Sequence, residues 1–265
     1  MSEKKSYHGK IIRVDLNKGE VKIEVLPENI YRKYMGGSSL ASYFLLTEMK
    51  KGVDPLGPDN VLVFTCSPIS GTTVPGTSRF TVAAKSPLTG GFGEAEGGGW
   101  WAPEFKWAGY DAIIFKGVSP KPVYLWIHDD KVELRDAQHL TGKVTGEAEK
   151  MIRDELQDQK IRIAQIGPAG EKMVSYSCIC NECAHFNGRT GMGAVMGSKR
   201  LRAVAVKASG KNAYHDLEKI KEITKDFAKN WKDCMQEGYF LPVTSGRDSL
   251  KVLRLFPDKP WRRRS

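Results

Sequence analysis

The chain has 265 residues, a formal net charge of +10, 40% hydrophobic residues and five cysteines. The apolar content excludes a disordered chain, no apolar run reaches the roughly 20 residues that span a membrane, and the cysteines are too few for a disulfide scaffold. The odd number of cysteines and an N-terminus without a hydrophobic signal segment predict a cytoplasmic protein.

The positive charge is concentrated at the C-terminal end of the chain. Residues 247–265 contain seven basic and two acidic side chains. Such a segment is typical of a solvated terminus, although the same charge would also suit a nucleic acid. We favour the solvated terminus and expect neither a nucleic acid nor a membrane as partner. The rest of the chain is also basic, which suits an anionic ligand.

Hydrophobic periodicity predicts an alternation of hairpins, short strands and helices along the chain. In order, the predicted elements are a hairpin at 10–16 and 20–26, a helix at 39–50, strands at 61–66 and 79–85, a glycine-rich loop at 90–99, a short helix at 102–108, a strand at 112–115, a hairpin at 122–128 and 131–135, a helix at 145–156, strands at 161–166, 174–180 and 203–206, and an amphipathic helix at 215–234.

Two stretches of the chain share one order of elements. Residues 61–116 and 162–207 each contain two strands, a loop with glycines, a short helix and a closing strand. In this alignment Pro68 corresponds to Pro168, and Ala112 corresponds to Ala203. The pattern predicts a duplicated unit of about 90–100 residues, with chance similarity of two β-rich segments as the alternative.

Glycines are dense at the equivalent place in both units. Six of them lie between Gly90 and Gly99, and the second unit contains Gly188-Arg189-Thr190-Gly191. Glycine lets a backbone approach a ligand closely, and the guanidinium groups of Arg79 and Arg189 match phosphate or a planar heterocycle. The pattern predicts one large anionic ligand held across a pseudo-twofold axis. Two irregular turns with surface arginines are the alternative.

Three other segments contain residues that could have a chemical function. Cys178, Cys180, Cys183 and His185 have a C-x-C-x2-C-x-H spacing, which leaves open a zinc or iron–sulfur site and unligated thiols. The segment 167–172 lacks the Walker spacing, so we reject nucleotide hydrolysis. The aromatic residues between 100 and 110 suit a core or a wall against a cofactor. No catalytic triad stands out, and the catalytic residues are unknown.

The glycine-rich segments resemble the tungsten-containing aldehyde ferredoxin oxidoreductase family in its N-terminal domain. The matching pieces are SRFTVAAKSPLTG (78–90), GGGWWAPEFKWAGYDAIIFKG (97–117), IGPAGEKMV (166–174) and GRTGMGAVMGSKRLRAVAV (188–206). The resemblance implies an α+β fold made of a duplicated mixed-sheet unit with pseudo-twofold symmetry, followed by the start of a helical domain. It also implies a cofactor, a tungstopterin with two pterins that carries tungsten, or molybdenum in some members.

Position by position, the resemblance also implies a cofactor site. The family's pterin-contacting arginine, which lies between a pterin and an iron–sulfur cluster, matches Arg79. The main-chain carbonyls at Glu96 and Phe186 would hold Mg²⁺ that bridges the pterin phosphates. Two positions depart from the pattern, because some members have Asn at Glu96 and Arg at His185. The implied cofactor-binding residues are Arg79, Glu96, Gly97, Gly98, His185, Phe186, Gly188 and Arg189.

Family members are more than twice this length, so the resemblance implies a truncated chain. The expected domains are 1–210 for cofactor binding, 211–246 as the beginning of a helical domain, and 247–265 as an atypical basic tail. The ligands of the family's 4Fe-4S cluster and its acid/base residues are expected to lie in the missing part, as is the contact with ferredoxin or another electron carrier. A homodimer or a partner subunit is also expected.

The implied activity is oxidation of small aldehydes to carboxylates by the complete enzyme. Four alternatives stay open. The chain could be a non-catalytic metal–pterin binding module or an inactive fragment. It could be an interaction protein, or part of a related tungsten enzyme that acts on aromatic thioesters.

Overall fold

Two six-stranded sheets form the body of the chain in the computed structural model, which describes residues 6–210, the backbone of 214–236 and side chains as far as Trp231. The first sheet contains β1 (Lys10–Asp15), β2 (Glu20–Val25), β3 (Leu62–Cys66), β4 (Phe80–Lys85), β5 (Phe92–Gly97) and β6 (Ala112–Lys116), in the spatial order β2-β1-β6-β3-β4-β5. The second contains β7 (Val123–His128), β8 (Lys131–Asp136), β9 (Arg162–Gln165), β10 (Ile179–Asn181), β11 (His185–Asn187) and β12 (Leu201–Lys207), in the order β11-β10-β9-β12-β7-β8.

Helices connect the strands and cover the sheets. They are α1 (Glu28–Tyr34), α2 (Gly37–Glu48), α3 (Trp101–Trp107), α4 (Thr145–Leu156), α5 (Pro168–Glu171), α6 (Met192–Ser198) and α7 (Leu217–Gln236). The fold is therefore α+β, as the resemblance implies. None of these helices in the described part of the chain is both long and apolar enough to cross a lipid bilayer.

The two sheets are copies of one arrangement, which confirms the predicted duplication. Read from its hairpin edge, the second sheet runs β8-β7-β12-β9-β10-β11 and matches the first strand for strand. In both sheets one parallel pair, β1 with β6 or β7 with β12, is combined with antiparallel neighbours. The predicted match of Ala112 with Ala203 also holds, since Ala112 pairs with Thr65 on β3 and Ala203 pairs with Gln165 on β9.

Apolar residues are buried in three layers. The central core contains the inner faces of both sheets together with α3 and α6, while α1 and α2 cover the outer face of the first sheet and α4 covers that of the second. The fully buried ring of Trp101 lies 4.5 Å from Phe80 and 5.1 Å from Phe105, and its indole N–H donates to the Val204 carbonyl at 2.9 Å. Burial of each such ring stabilises the fold by about 1.5–3 kcal/mol, so α3 ties the two repeats together.

The structure corrects the prediction at two places near the glycines. Strand β5 takes the place of the loop predicted for 90–99. Gly93 fits within this strand because there is no space for a side chain: a Cβ at Gly93 would lie 2.8 Å from both Met192 and Ser86. The strand predicted for 174–180 is reduced to β10, since the backbone before it turns and Ser177 N–H donates to the Val174 carbonyl at 2.8 Å.

Helices α1, α5 and strand β11 have no counterpart in the sequence prediction, because each is at most seven residues long and too short for a clear period. One compact unit of the chain extends to Leu217, and α7 belongs to a second unit that begins with Glu218. The predicted basic tail at 247–265 lies outside the described residues.

Candidate functional site

The free edges of the two sheets meet where β5 lies against β11. Asn187 on β11 is fully buried, and its side-chain amide donates to the Ala95 carbonyl on β5 at 2.9 Å. The Thr190 hydroxyl donates to the Glu94 carbonyl at the same distance. Side chains of the second repeat therefore fasten the edge of the first. This arrangement brings the end of β5 next to His185.

Two of the sequence-predicted site residues occupy the same position in the two repeats. Glu96 pairs with Thr81 on β4, and Phe186 pairs with Cys180 on β10. Thr81 and Cys180 are themselves equivalent in the matched order of strands. The backbone of Glu96 and that of Phe186 are thus related by the pseudo-twofold axis, one on each meeting edge.

The three glycines at the end of β5 have different reasons to be glycine. A Cβ at Gly97 would lie 2.5 Å from Asn187 Oδ1, and one at Gly99 would lie 2.4 Å from Asn181 Oδ1. Both glycines are therefore needed because the second repeat packs directly on them. A Cβ at Gly98 would find its nearest atom 3.6 Å away. Gly98 is the one whose backbone stays open to an external molecule.

Arg79 directly precedes β4 and faces Glu96 on the neighbouring strand β5. The distance from Arg79 Nη1 to Glu96 Oε2 is 3.3 Å, and the two side chains are 65% and 45% exposed. An ion pair with this exposure contributes at most about 1 kcal/mol. The guanidinium can therefore exchange this partner for an anionic ligand at small cost.

The predicted residues of the second repeat lie on the surface beside the glycines. The His185 ring lies next to Gly98, since a Cβ there would be 3.6 Å from His185 Nδ1. Phe186 is 52% exposed, and Gly188 and Arg189 are exposed as well. Nothing in residues 6–210 or the described part of α7 forms a salt bridge with Arg189. Within the described part of the chain, no hydrogen bond or ion pair joins the Arg189 side chain to the other predicted site residues.

A largely buried carboxylate that sequence reasoning missed connects the two edges. Glu182 lies in the turn between β10 and β11, and its Oε1 accepts the Trp100 backbone N–H at 2.9 Å. Arg162 Nη1 lies 3.6 Å from the same oxygen. Burial raises the pKa of Glu182 above its ordinary value. The available signal was an acidic residue in the turn just before His185, which is weak in a single sequence.

The aromatic cluster divides between the core and the surface. Trp101, Phe105 and Tyr110 are buried, as packing predicts. Trp100 is 55% exposed and, with Trp107, lines a cavity of about 350 Å³ beside the meeting edges. The other lining residues are Gly71, Thr72, Val74, Pro75, Gly76, Thr77, Ser78, Gly99, Pro103 and His185.

The described cysteines do not gather into a cluster of potential metal ligands. Among the residues that the structure describes, no group of three or more His, Cys, Asp or Glu side chains is arranged to hold a metal ion. Cys180 is buried, which raises its pKa to about 12, while Cys183 is exposed and donates to Glu149 Oε2 at 3.3 Å. The thiols keep no assigned role.

Most glycines of the second glycine-containing segment serve packing. A Cβ at Gly193 would lie 2.5 Å from the Cys178 carbonyl, and one at Gly197 would lie 1.9 Å from the Gly170 carbonyl. Helix α6 therefore packs directly on backbone, including that of α5. Helix α5 lies within the segment 167–172, which lacks the Walker spacing of a nucleotide-binding loop. A Cβ at Gly188 would have no neighbour closer than 3.9 Å. Gly188 is therefore the glycine of this segment that leaves space for a ligand.

Comparison with known proteins identifies the family to which this sequence is similar. The family described as aldehyde ferredoxin oxidoreductase, N-terminal domain, matches residues 11–208. A tungsten-containing aldehyde ferredoxin oxidoreductase of Thermococcus kodakarensis is 46% identical over 234 residues, which cover 88% of this chain and 39% of that protein. Its counterpart in Pyrococcus furiosus is 42% identical with the same coverage. The chain thus spans about two fifths of the length of these relatives.

Two further comparisons extend the range of activities among similar proteins. The WOR-like subunit of an aliphatic sulfonate oxidoreductase from Pyrococcus furiosus is 36% identical and matches 93% of this chain and 41% of that protein. Among solved structures, a chain of the active-site complex BamBC of benzoyl coenzyme A reductase, in complex with 1,5-dienoyl-CoA, superposes with a TM-score of 0.84 at 35% identity. The match covers 92% of this chain and 37% of that one.

Proposed function

The chain belongs to the aldehyde ferredoxin oxidoreductase family, and we propose that it binds a bis-pterin tungsten cofactor on the meeting edges of β5 and β11. In this proposal it is the N-terminal part of an oxidoreductase that converts aldehydes to carboxylates. The observation that carries the proposal is the pair of pseudo-equivalent edges, because a ligand with two similar halves fits a site with two similar halves.

The residues on these edges suit such a ligand. Gly98 and Gly188 leave the backbone open for close approach. Arg79 and Arg189 are exposed cations, and guanidinium groups bind phosphates through paired hydrogen bonds. His185 adds a ring that can donate a hydrogen bond to the same groups. We infer that these five residues bind and orient the cofactor.

The pseudo-equivalence of Glu96 and Phe186 also supports a shared cation. One main-chain carbonyl from each would reach a Mg²⁺ ion between the cofactor's phosphate groups, and Mg²⁺ prefers oxygen ligands. The side chain at Glu96 does not remove this carbonyl. Its carboxylate faces Arg79 at 3.3 Å, so the pair would rearrange as the phosphates enter.

The bound cofactor supplies the oxidation–reduction chemistry, while this chain supplies binding, orientation and electrostatics. We assign no general acid or base to these residues. Electrons would leave through a 4Fe-4S cluster to ferredoxin or another carrier. In this proposal the cluster is held by the region of the longer family members that this chain does not match. A cytoplasmic location and a homodimer or partner subunit belong to the same proposal.

The aromatic-thioester activity remains a second candidate. The close superposition on benzoyl coenzyme A reductase supports it, whereas the higher identity to the aldehyde enzymes favours the first candidate. Both candidates use the same cofactor edges, so they differ in substrate rather than in this site.

The experiment that tests the proposal is metal and pterin analysis of the chain purified without oxygen from its native host. Tungsten or molybdenum at about one atom per chain, together with pterin, would support it. A chain that carries neither, although it is folded by circular dichroism, would contradict independent cofactor binding.

A further inference from the structure

Glu182 reaches from the second repeat to the backbone of the first. Its turn joins β10 to β11, directly before His185 and Phe186, and its Oε1 accepts the Trp100 N–H at 2.9 Å. The side chain is only 12% exposed. Hydrogen bonds to charged groups are stronger than neutral ones. This contact therefore fixes the chain where it leaves Gly98.

Arg162 holds the carboxylate in place. Its Nη1 lies 3.6 Å from Glu182 Oε1, and its guanidinium carbon lies 5.8 Å from the centre of the Trp100 ring. A cation over an indole face is attracted by the ring's electrons. Arg162 thus contacts both ends of the link, and it lies on β9 in the body of the second sheet.

The first repeat is shaped to admit this link. Gly99 has φ +91°, and a Cβ on it would lie 3.0 Å from Glu182 Oε2 and 2.4 Å from Asn181 Oδ1. A side chain at this position would be strained at this φ and would displace the side chains of Asn181, Glu182 and His185. The glycine therefore makes room for a side chain of this same protein rather than for a ligand.

We propose that Glu182 is a positioning residue that holds the Gly97–Trp100 segment in register with His185 and Phe186, so that the two edges form one site. The inference rests on the proposed function, since the aligned segments are those that would bind the cofactor. Glu182 itself touches no ligand in this scheme and acts through the backbone that it holds.

The matched control is Glu48, which is equally buried but lies elsewhere. Its side chain is 13% exposed and pairs with Arg13 and Lys116 at 2.8 Å each. Replacing it by alanine should also lower stability, because it removes the shared anionic partner of Arg13 and Lys116. A role of Glu182 in general stability would therefore be matched by Glu48.

The test compares Glu182→Ala, Glu182→Gln and Glu48→Ala in the full 265-residue chain. Amide exchange by NMR reports on the segments 98–100 and 185–186 separately. Binding of Mn²⁺ with inorganic pyrophosphate, followed by electron paramagnetic resonance, reports on the combined site. The glutamine variant keeps an oxygen that can accept the Trp100 N–H, so it tests rescue by a conservative change.

We expect Glu182→Ala to speed exchange in both segments and to weaken Mn²⁺–pyrophosphate binding, each by about tenfold, the effect of losing one hydrogen bond to a charged group. Glu182→Gln should retain most of both. Glu48→Ala should lower the melting temperature and change neither. Faster exchange at Trp100 alone with unchanged binding would overturn the proposal, as would equal weakening by Glu48→Ala.

Failure of the proposed function gives a different result. In that case the unmodified chain binds no Mn²⁺ with pyrophosphate. The amide exchange rates of the two segments then test the positioning role of Glu182 by themselves. Faster exchange in both segments in Glu182→Ala would support that role, whereas unchanged protection of 185–186 would overturn it.

Discussion

Gly97 and Asn187 occupy the same position in the two repeats and lie directly against each other, with Asn187 Oδ1 2.5 Å from the place that a Cβ of Gly97 would take. The pseudo-twofold axis therefore passes through a contact that only an unequal pair can make. One repeat contributes a side chain, and the other contributes the space for it.

We expect Gly97→Ala to destabilise the chain by about 1–3 kcal/mol, because a buried Cβ would force strained packing on Asn187. Gly98→Ala should leave stability unchanged, since its Cβ has room, yet it should lower cofactor content. Thermal unfolding and metal analysis separate the two effects. Gly146→Ala on α4, which meets no atom within 4 Å, should be slightly stabilising. Equal melting temperatures for the first two variants would contradict the assignment.

Arg79→Ala and Arg189→Ala should each lower the tungsten or molybdenum content by several-fold without lowering the melting temperature. Both side chains are exposed, so their removal costs little stability. Lys121→Ala is the matched control, because it removes an exposed cation that pairs with Asp136 at 2.6 Å on β8. Unchanged cofactor content in the double arginine variant would refute the role of these two residues.

Lys199 should make stability rise with pH in the alkaline range. Its side chain is fully buried and donates to the Gly117 carbonyl at 3.2 Å, and burial lowers its pKa from 10.5 to about 8. Below pH 8 both the folded and the unfolded chain carry the charge, and the cost of burying it is fully present. Between pH 8 and 10.5 the unfolded chain binds more protons, so this contribution to stability rises with pH.

Lys199→Met should therefore gain most stability over the unmodified chain near pH 7, and the gain should shrink between pH 8 and 10.5. Urea unfolding at several pH values measures the difference between the two proteins, in which other titrating groups cancel. Lys18→Met, at an exposed position, should show no such trend. A difference independent of pH would contradict the altered titration of Lys199.

Lys106→Met should destabilise the chain by about 3–5 kcal/mol, because it leaves the carboxylate of Asp111 buried without its cation. Lys106 and Asp111 form a salt bridge with side chains 1% and 2% exposed. Asp111 also accepts the backbone N–H groups of His8 and Gly9 at 2.9 and 2.8 Å. Unfolding in urea measures the loss, and a loss below 1 kcal/mol, as for an exposed pair, would show that the site is hydrated.

The duplication and most helices could be predicted from the sequence because their signals are local. Helix α4 has the predicted bounds, and Ala112 and Ala203 end up in equivalent strands. The glycines of β5 were misleading for a physical reason. Gly93 and Gly97 suggest a loop by propensity, but in the fold they are small because Met192 and Asn187 pack on the strand. That contact lies about 90–100 residues away in sequence and has no local signal.

The candidate site shows the same division. The residues that would face a ligand, such as Arg79 and Gly98, could be predicted from the resemblance. Glu182 and Asn187, which contact the opposite edge, could not, because the role of a carboxylate or a buried amide depends on partners that are distant in sequence. The structure, rather than the pattern, separates the glycines with open space beside them from the glycines that are required by packing.

The contact between β5 and β11 also protects the molecule from edge-to-edge pairing with other copies of the same chain. An uncovered outer strand offers a row of unpaired backbone groups on which another chain can add, and repeated addition leads to fibrous aggregates. Here the carbonyls of Glu94 and Ala95 on β5 already accept hydrogen bonds from the side chains of Thr190 and Asn187. A chain built from two copies of one sheet thus uses side chains of its second copy to cover the open edge of the first, so the duplication itself removes a surface on which another strand could add.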